Sequence, residues 1–335
     1  MKLTWRVGRV VLRVFVGVML FSMTIWGALA IYYSDLASVG VRAALSSAFV
    51  LGTAIALLFV RPRRWAIVGC LVVFAGIVWW WLAIPPSHER DWQPDVAVLP
   101  YATFAGDSVT IHNIRNNEYR SETDFTPRYY DKTVHLSKLQ TVDLFLSYWG
   151  PTLIAHTIMS FGFEGEGYVA MSIETRKEKN EEYSALKGFF KQYELIYIIS
   201  DERDLVRLRT NYRGEDVYLY RLKGPREVGR EVFLQYLRDI NQLAAQPAWY
   251  NALTENCTTG IYRLARPYAA RSWWSWKLFA NGYMDELAYD IGAVDRSLPF
   301  AEFKVRSHIN DRARAADYDL DFSRKIRDGL PGIEG

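Results

Sequence analysis

The sequence predicts an α+β protein in two parts: three N-terminal transmembrane helices, then an extracytoplasmic domain built on an antiparallel sheet. Three observations carry that reading. Apolar runs at Phe15–Tyr33, Ala43–Val60 and Trp65–Ile84 each approach the ~20 residues a helix needs to cross a hydrocarbon core. Basic residues cluster before the first run and between the second and third, where a topology determinant belongs. Beyond Pro86 the pattern changes to short alternating stretches separated by turn residues, the signature of half-buried strands.

The first span, about 14–33, follows Lys2, Arg6, Arg9 and Arg13. It is too long for a signal-peptide core, lacks a small-residue cleavage site, and precedes two further spans at about 42–60 and 65–84. The basic tail is expected in the cytoplasm. Ser34-Asp-Leu-Ala-Ser38, followed only by Arg42, is expected outside, and Arg61-Pro-Arg-Arg64 inside. Three crossings then put the chain from about Ser87 onward on the outer side of the membrane. Trp79, Trp80 and Trp81 suit the outer interface, and Cys70 reads as a packing residue of the third span. A formal net charge of only +3 argues against a nucleic-acid partner and leaves the lipid bilayer as the expected one. The expected organisation is a membrane part over 1–86, a linker over 87–104, a soluble domain over 105–270 and a C-terminal extension over 271–335 packed on that domain.

Val109-Thr-Ile-His-Asn-Ile114 alternates as a strand does, and Thr133-Val-His-Leu136 is its expected neighbour. Lys138–Tyr148 reads as weakly helical or mixed. Leu153–Phe163 and Tyr168–Thr175 read as an antiparallel hairpin around Glu164-Gly-Glu166. If those three residues form the loop, Phe163 pairs with Gly167, and counting back puts His156 opposite Glu174 with Ser172 diagonally beside it. A one-residue slip would send Glu174 to the other face. Lys177–Lys187 reads as a solvated loop or short helix, Tyr193–Ile199 as a strand, and the charged run Asp201–Arg209 as an ion-paired strand surface. Val217–Leu222 follows as a further apolar stretch. Arg230–Ala245 has helical apolar spacing and ends at Pro247, and Leu278–Ile291 is a further expected helix after the tryptophans Trp273, Trp274 and Trp276.

Chemistry concentrates at Asn251-Ala-Leu-Thr-Glu-Asn-Cys-Thr-Thr-Gly260. Cys257 is the one cysteine outside the apolar N-terminal third, and a lone thiol in an oxidising compartment is a liability unless it is used. Thr254 or Asn256 can cap a helix over the following residues, which puts Cys257 in its first turn, where the helix dipole stabilises a thiolate. The competing reading is an inert buried cysteine. A thiolate nucleophile needs a base. Among His88, His112, His135, His156 and His308, His156 is singled out by its expected carboxylate partner, Glu174, and by Ser172. Scattered histidines, no His-Glu-x-x-His and no second soluble-domain cysteine argue against a metal centre, and no glycine-rich phosphate loop is present, so no cofactor is expected.

Trp149-Gly, Ala155-His-Thr, Ser160-Phe-Gly-Phe163, Ser172-Ile-Glu-Thr-Arg176, Gly188-Phe-Phe-Lys-Gln-Tyr-Glu-Leu195, Trp249-Tyr-Asn251 and Asn256-Cys-Thr-Thr259 together resemble the family of the Lnb N-terminal periplasmic domain (DUF4105), over roughly residues 105–270. The resemblance implies a circularly permuted, papain-like fold related to the NlpC/P60 thiol enzymes, with the histidine strand ahead of the cysteine helix. It implies a periplasmic domain with Cys257 as nucleophile, His156 as base and Glu174 or Ser172 holding the imidazole. Some members are linked to lipoprotein N-acylation, so it also implies an acyltransferase acting on phospholipid and lipoprotein substrates. An NlpC/P60-type peptidase, amidase or thioesterase is the second expectation and a non-catalytic assembly factor the third. The acyltransferase members carry membrane helices after the thiol domain; this chain carries three before it.

Overall fold

A computed structural model of the chain describes residues 2–36, 38–251, 275–278 and 280–333. Cys257 and the helix expected to start there lie outside the described residues, as do Trp273 and Trp274. The chain divides into two compact units, one running to Ser87 and including Ser184–Gln192, the other comprising His88–Tyr183 and the chain from Tyr193.

In the first unit the apolar runs form α1 (Lys2–Tyr32), α2 (Val39–Phe59) and α3 (Arg63–Ala83). Their segments Val7–Tyr32, Val39–Phe59 and Arg63–Ala83 are long and apolar enough to span a membrane. α1 begins well before the expected boundary near residue 14, because the arginines that precede the apolar run are themselves good helix formers. At Gly27 a Cβ would lie 2.8 Å from the Phe49 ring, so this glycine lets α2 approach α1 closely. Ser46 Oγ donates across the same contact to the Ala28 carbonyl at 2.9 Å. The segment Ser184–Gln192, whose first residues fall in the stretch expected to be a solvated loop or short helix, belongs to this unit. Phe190 stacks on Tyr33 and packs against Trp26, with centroids 5.8 and 6.1 Å apart. Lys191 Nζ donates to the carbonyls of Trp81, Leu82 and Ile84 at 2.9, 3.0 and 3.1 Å, closing groups that the end of α3 leaves without helical partners.

The second unit is organised by an eight-stranded sheet. Its strands are β1 (Tyr101–Ala105), β2 (Ser108–Arg115), β5 (Tyr129–His135), β6 (Leu139–Tyr148), β7 (His156–Phe163), β8 (Gly167–Arg176), β9 (Glu194–Ser200) and β10 (Asp216–Arg221); β3 (Glu118–Tyr119) and β4 (Phe125–Thr126) form a separate small ribbon. The order is β1-β2-β9-β8-β7-β6-β10, with β5 also on β2. The sheet is mixed rather than antiparallel throughout. β1, β2 and β5 form an antiparallel ribbon that joins the long strands through one parallel bridge, Arg115 to Ser200.

Four elements differ from expectation. Residues 101–104, expected in the linker, belong to β1 (Tyr101–Ala105), and Trp92 makes an isolated bridge to Glu178. Lys138–Tyr148 is almost wholly strand β6, which lies between β7 and β10; its Leu144, Phe145 and Leu146 are all buried because both faces of the sheet are covered, which erases the alternation. The charged run Asp201–Arg209 is helical: Asp201 accepts from the Arg203 amide as N-cap of α4 (Glu202–Arg207), which continues as a π-helical turn, Leu208–Tyr212. Leu278–Ile291 breaks into short turns and the helix Met284–Asp290.

One sheet face carries Met159, Phe161, Phe163, Met171 and Tyr197 against Phe233, Tyr236, Leu237 and Ile240 of α5 (Arg226–Ala245). The other carries Phe145, Ile158, Ala170, Ile196 and Ile198 against Leu205 and Val206 of α4 and against Ile309, Ala313, Phe322 and Ile326 of the C-terminal region. His156, Ser172 and Glu174 share this second face with Ile158 and Ala170 by strand alternation.

Candidate active site

The β7–β8 hairpin has the expected register. Phe163 pairs with Gly167 across Glu164–Glu166, and pairing continues without slip to Ile158 opposite Ser172. Two residues beyond that last pair on each strand, the side chains of His156 and Glu174 approach to 3.4 Å. Gly165 and Gly167 have φ of +70° and +75°, which a glycine supplies without strain in so short a turn.

His156 Nε2 lies 2.6 Å from Ser172 Oγ and 3.4 Å from Glu174 Oε1, and Ser172 Oγ donates to that same carboxylate oxygen at 2.9 Å. Ser172 is fully buried, and the side chains of His156 and Glu174 are 15% and 20% exposed, so the cluster is sheltered without being sealed. Burial pushes the Glu174 carboxyl up, but the Arg209 charge, the hydrogen bond and charge of His156 and the more distant Arg115 outweigh it, holding Glu174 well below the usual carboxylate range.

That ionisation orders the protons. An ionised Glu174 only accepts, and Ser172 has one hydroxyl proton, so Ser172 donates to Glu174 and accepts from His156. Nε2 therefore carries the hydrogen, and Nδ1 is the basic nitrogen of the neutral imidazole. The relay His156 Nε2–H, Ser172 Oγ–H, Glu174 has the logic of an orienting group behind a general base.

Arg209 is the member that sequence reasoning missed. Its Nη2 donates to Glu174 Oε1 at 2.9 Å from the π-helical turn. With 201–209 read as a strand, its charges were assigned to a surface ion-pair pattern. The available signal was Asp201 as an N-cap: a helix starting there puts Arg209 four residues after Leu205, on the same sheet-facing side.

The loop entering β7 is pinned by polar contacts and carries apolar side chains outward. Asn281 brackets Ala155, donating to its carbonyl at 2.7 Å and accepting from its amide at 2.9 Å. The Gly282 amide donates to Leu153 at 3.1 Å, and Tyr148 donates to the Gly282 carbonyl at 2.7 Å. Trp149, Leu153 and Ile154 remain 53%, 51% and 52% exposed. A Cβ on Gly282 would fall 1.8 Å from the Thr152 carbonyl oxygen. Gly282→Ala is therefore expected to displace the loop and cost about 1–3 kcal/mol, read as a lowered thermal midpoint.

The other histidines are engaged elsewhere. His88 Nε2 lies 2.9 Å from the Leu243 carbonyl oxygen, and His112, His135 and His308 pair with Asp131, Glu166 and Asp216 at 2.7, 2.7 and 3.3 Å. Among the described residues no three His, Cys, Asp or Glu side chains converge as metal ligands do.

The lowered Glu174 titration has a sign. Its stabilisation is fully present above the unfolded carboxylate pKa, about 4.3, and is lost as pH falls through the lower folded value. Glu174→Gln is thus expected to be less stable than wild type at pH 7, the gap narrowing below about pH 4. Thermal midpoints of both proteins at pH 7, 5 and 3 check this.

Fold and cluster together define a membrane-anchored α+β protein with a histidine–serine–glutamate relay on one hairpin. Residues 125–284 match the family model described as the Lnb N-terminal periplasmic domain. The matched segment includes His156, Ser172, Glu174, Arg209 and Cys257. Three candidate spans with a domain of that description fit a membrane-anchored protein with a periplasmic domain. No curated protein and no solved structure matches the chain.

Proposed function

We propose that the chain is an inner-membrane thiol acyltransferase whose domain faces the periplasm and whose N-terminus is cytoplasmic, with Cys257 as nucleophile, His156 as base, and Ser172 and Glu174 orienting the imidazole. The observation that carries this is the relay on β7 and β8, which leaves His156 Nδ1 as the basic nitrogen for a thiol. The permuted NlpC/P60 relation belongs to the same proposal; it is supported by a histidine strand, paired with the strand that carries Ser172 and Glu174, ahead of the cysteine in sequence.

Nδ1 takes the Cys257 proton, and the thiolate attacks an ester carbonyl of a phospholipid. Collapse of the tetrahedral adduct breaks the C–O bond, and the leaving alkoxide takes the proton from His156, giving a thioester and a lysophospholipid. The α-amine of a lipoprotein's N-terminal cysteine then attacks the thioester. His156 accepts the amine proton, the C–S bond breaks, and His156 passes that proton to the leaving thiolate, so that an amide and the free thiol remain. The free amide of Cys257 at an expected helix start supplies a donor to the oxyanion.

The exposed Trp149, Leu153 and Ile154, close before His156 in the chain, favour an acyl-lipid substrate over a cell-wall peptide. The test is the full chain in vesicles of acyl-labelled phospholipid with a diacyl lipopeptide acceptor. Acyl label on Cys257, released by hydroxylamine and chased onto the lipopeptide amine, is expected. Label released only as fatty acid would make it a thioesterase, and cleavage of cell-wall peptides alone a peptidase or amidase. A Cys257→Ala chain with an intact cellular phenotype would leave a non-catalytic assembly factor.

A further inference from the structure

Around His156 the structure spans three strands. Ser147 on β6 is the backbone partner of His156 on one side, and on the other the side chain of Glu174 on β8 lies 3.4 Å from His156 Nε2. Ser147 Oγ donates to Glu215 Oε2 at 2.5 Å, and Glu215 lies 3.8 Å from Arg209 Nε. Arg209 Nη2 meets Glu174, and Nη1 donates to the Leu205 carbonyl at 3.0 Å, which fixes the guanidinium on its own helix. One side chain, 5% exposed, thus ties together the partners that flank His156 on both strands.

The turn that presents it is π-helical, closed by the Arg213 amide donating to Leu208 at 2.9 Å. Such turns forfeit regular α-helical hydrogen bonding and concentrate at functional sites. A planar guanidinium with separate donors suits this task; an ammonium makes a single point contact.

We infer that Arg209 is a positioning residue for His156: by sharing Glu174 Oε1 with Ser172, while held by the Leu205 carbonyl and within ion-pair distance of Glu215, it fixes the direction of the relay and hence the imidazole tautomer. The inference rests on His156 being the working base of the proposed function. Arg209 keeps Glu174 an acceptor, so Ser172 points its proton to the carboxylate and Nε2 keeps its hydrogen. Without Arg209 the carboxylate has one positive neighbour fewer, and the relay has no fixed direction. Among the described residues, the charged groups facing this cluster are Glu174 on β8, Arg209 on the π-helical turn, Glu215 with Arg213 at 3.7 Å, and Arg115 on β2, itself paired with Asp204 of α4 at 2.9 Å. Removing Arg209 subtracts a positive charge near the imidazole and leaves Glu174 to pair with imidazolium, so both effects raise the pH at which His156 loses its proton.

The test is nitrogen NMR of the full chain, 15N-labelled at histidine, in lipid nanodiscs. A Cys257→Ala background is used throughout, so that the reading does not depend on catalysis. His156 is assigned by its loss in His156→Gln. Wild type is expected to show the hydrogen on Nε2 in the neutral form. Arg209→Gln is expected to move the titration midpoint of His156 up by about one pH unit and to give mixed tautomers. Arg209→Lys, which keeps the charge, is expected to recover more than half of that shift. Unchanged signals from His88, His112, His135 and His308 report that each variant is folded. The inference is overturned if wild type carries the hydrogen on Nδ1, if a folded Arg209→Gln keeps tautomer and midpoint, or if lysine recovers nothing. Should Arg209→Gln not fold, the wild-type tautomer still decides the direction of the relay. Success here with no acyl transfer to lipopeptide would remove the proposed function and leave the positioning role standing.

Discussion

Cys257→Ser is expected to lower acyl transfer by about three orders of magnitude or more, while Cys70→Ser leaves it unchanged. The two cysteines of the chain occupy opposite settings. Cys70 lies within α3, a candidate span, and has no place in the proposed chemistry. In the proposed mechanism Cys257 has an expected helix start to stabilise its thiolate, and His156 Nδ1 takes its proton. Serine keeps the size but its hydroxyl is far harder to ionise, so the nucleophile is lost without a large steric change. His156→Ala gives the complementary result. The pH at which a thiol probe labels Cys257 is expected to move up towards about 8.5, the value of a thiol without a cationic partner. Labelling rates across pH, measured on wild type, His156→Ala and Cys70→Ser, carry the comparison. A labelling profile of Cys257 indifferent to His156 would break the pair.

The sequence made the hairpin legible because a strand has period two and a three-residue loop with glycine leaves little choice of register. Once Phe163 pairs with Gly167, the approach of His156, Ser172 and Glu174 follows by counting. The three spans were legible for an equally simple reason, since a hydrocarbon core demands a long apolar run. Arg209 was hidden because its run of alternating charges suits a strand surface as well as a helix, and only tertiary packing on the sheet decides between them. β6 was hidden because burial on both faces removes the alternation that marks a strand. The inclusion of Ser184–Gln192 in the membrane unit was written only as Phe189-Phe190 within a polar connection, a signal too short for periodicity.

Arg327→Ala is expected to destabilise the domain by about 3–5 kcal/mol, because it breaks a buried charge network from one side. Arg327 is 3% exposed and comes from the C-terminal segment. Its guanidinium donates to Glu202 at 2.6 and 2.8 Å and to Asp143 at 2.9 Å, and it stacks on Tyr168 at 3.6 Å. Without it Asp143 keeps Arg221 at 2.5 Å, whereas Glu202 keeps the Ser160 hydroxyl, 2.6 Å away, in place of a bidentate cation. The penalty is therefore mainly that of a buried, poorly compensated Glu202. In the variant this carboxyl would have a folded pKa raised above its unfolded value, so the variant's deficit should shrink as pH falls and grow as pH rises through that value. Adding Glu202→Gln removes the stranded charge, and the double variant should be more stable than Arg327→Ala alone. Unfolding midpoints of the three variants and wild type in denaturant, at pH 7 and pH 5, separate this from simple loss of packing, which predicts neither the pH trend nor the rescue. Glu202 opens α4, and α4 leads into the turn that presents Arg209 to Glu174. Loosening Glu202 should therefore also shift the His156-dependent labelling profile of Cys257, which would tie the C-terminal segment to the site through one short helix.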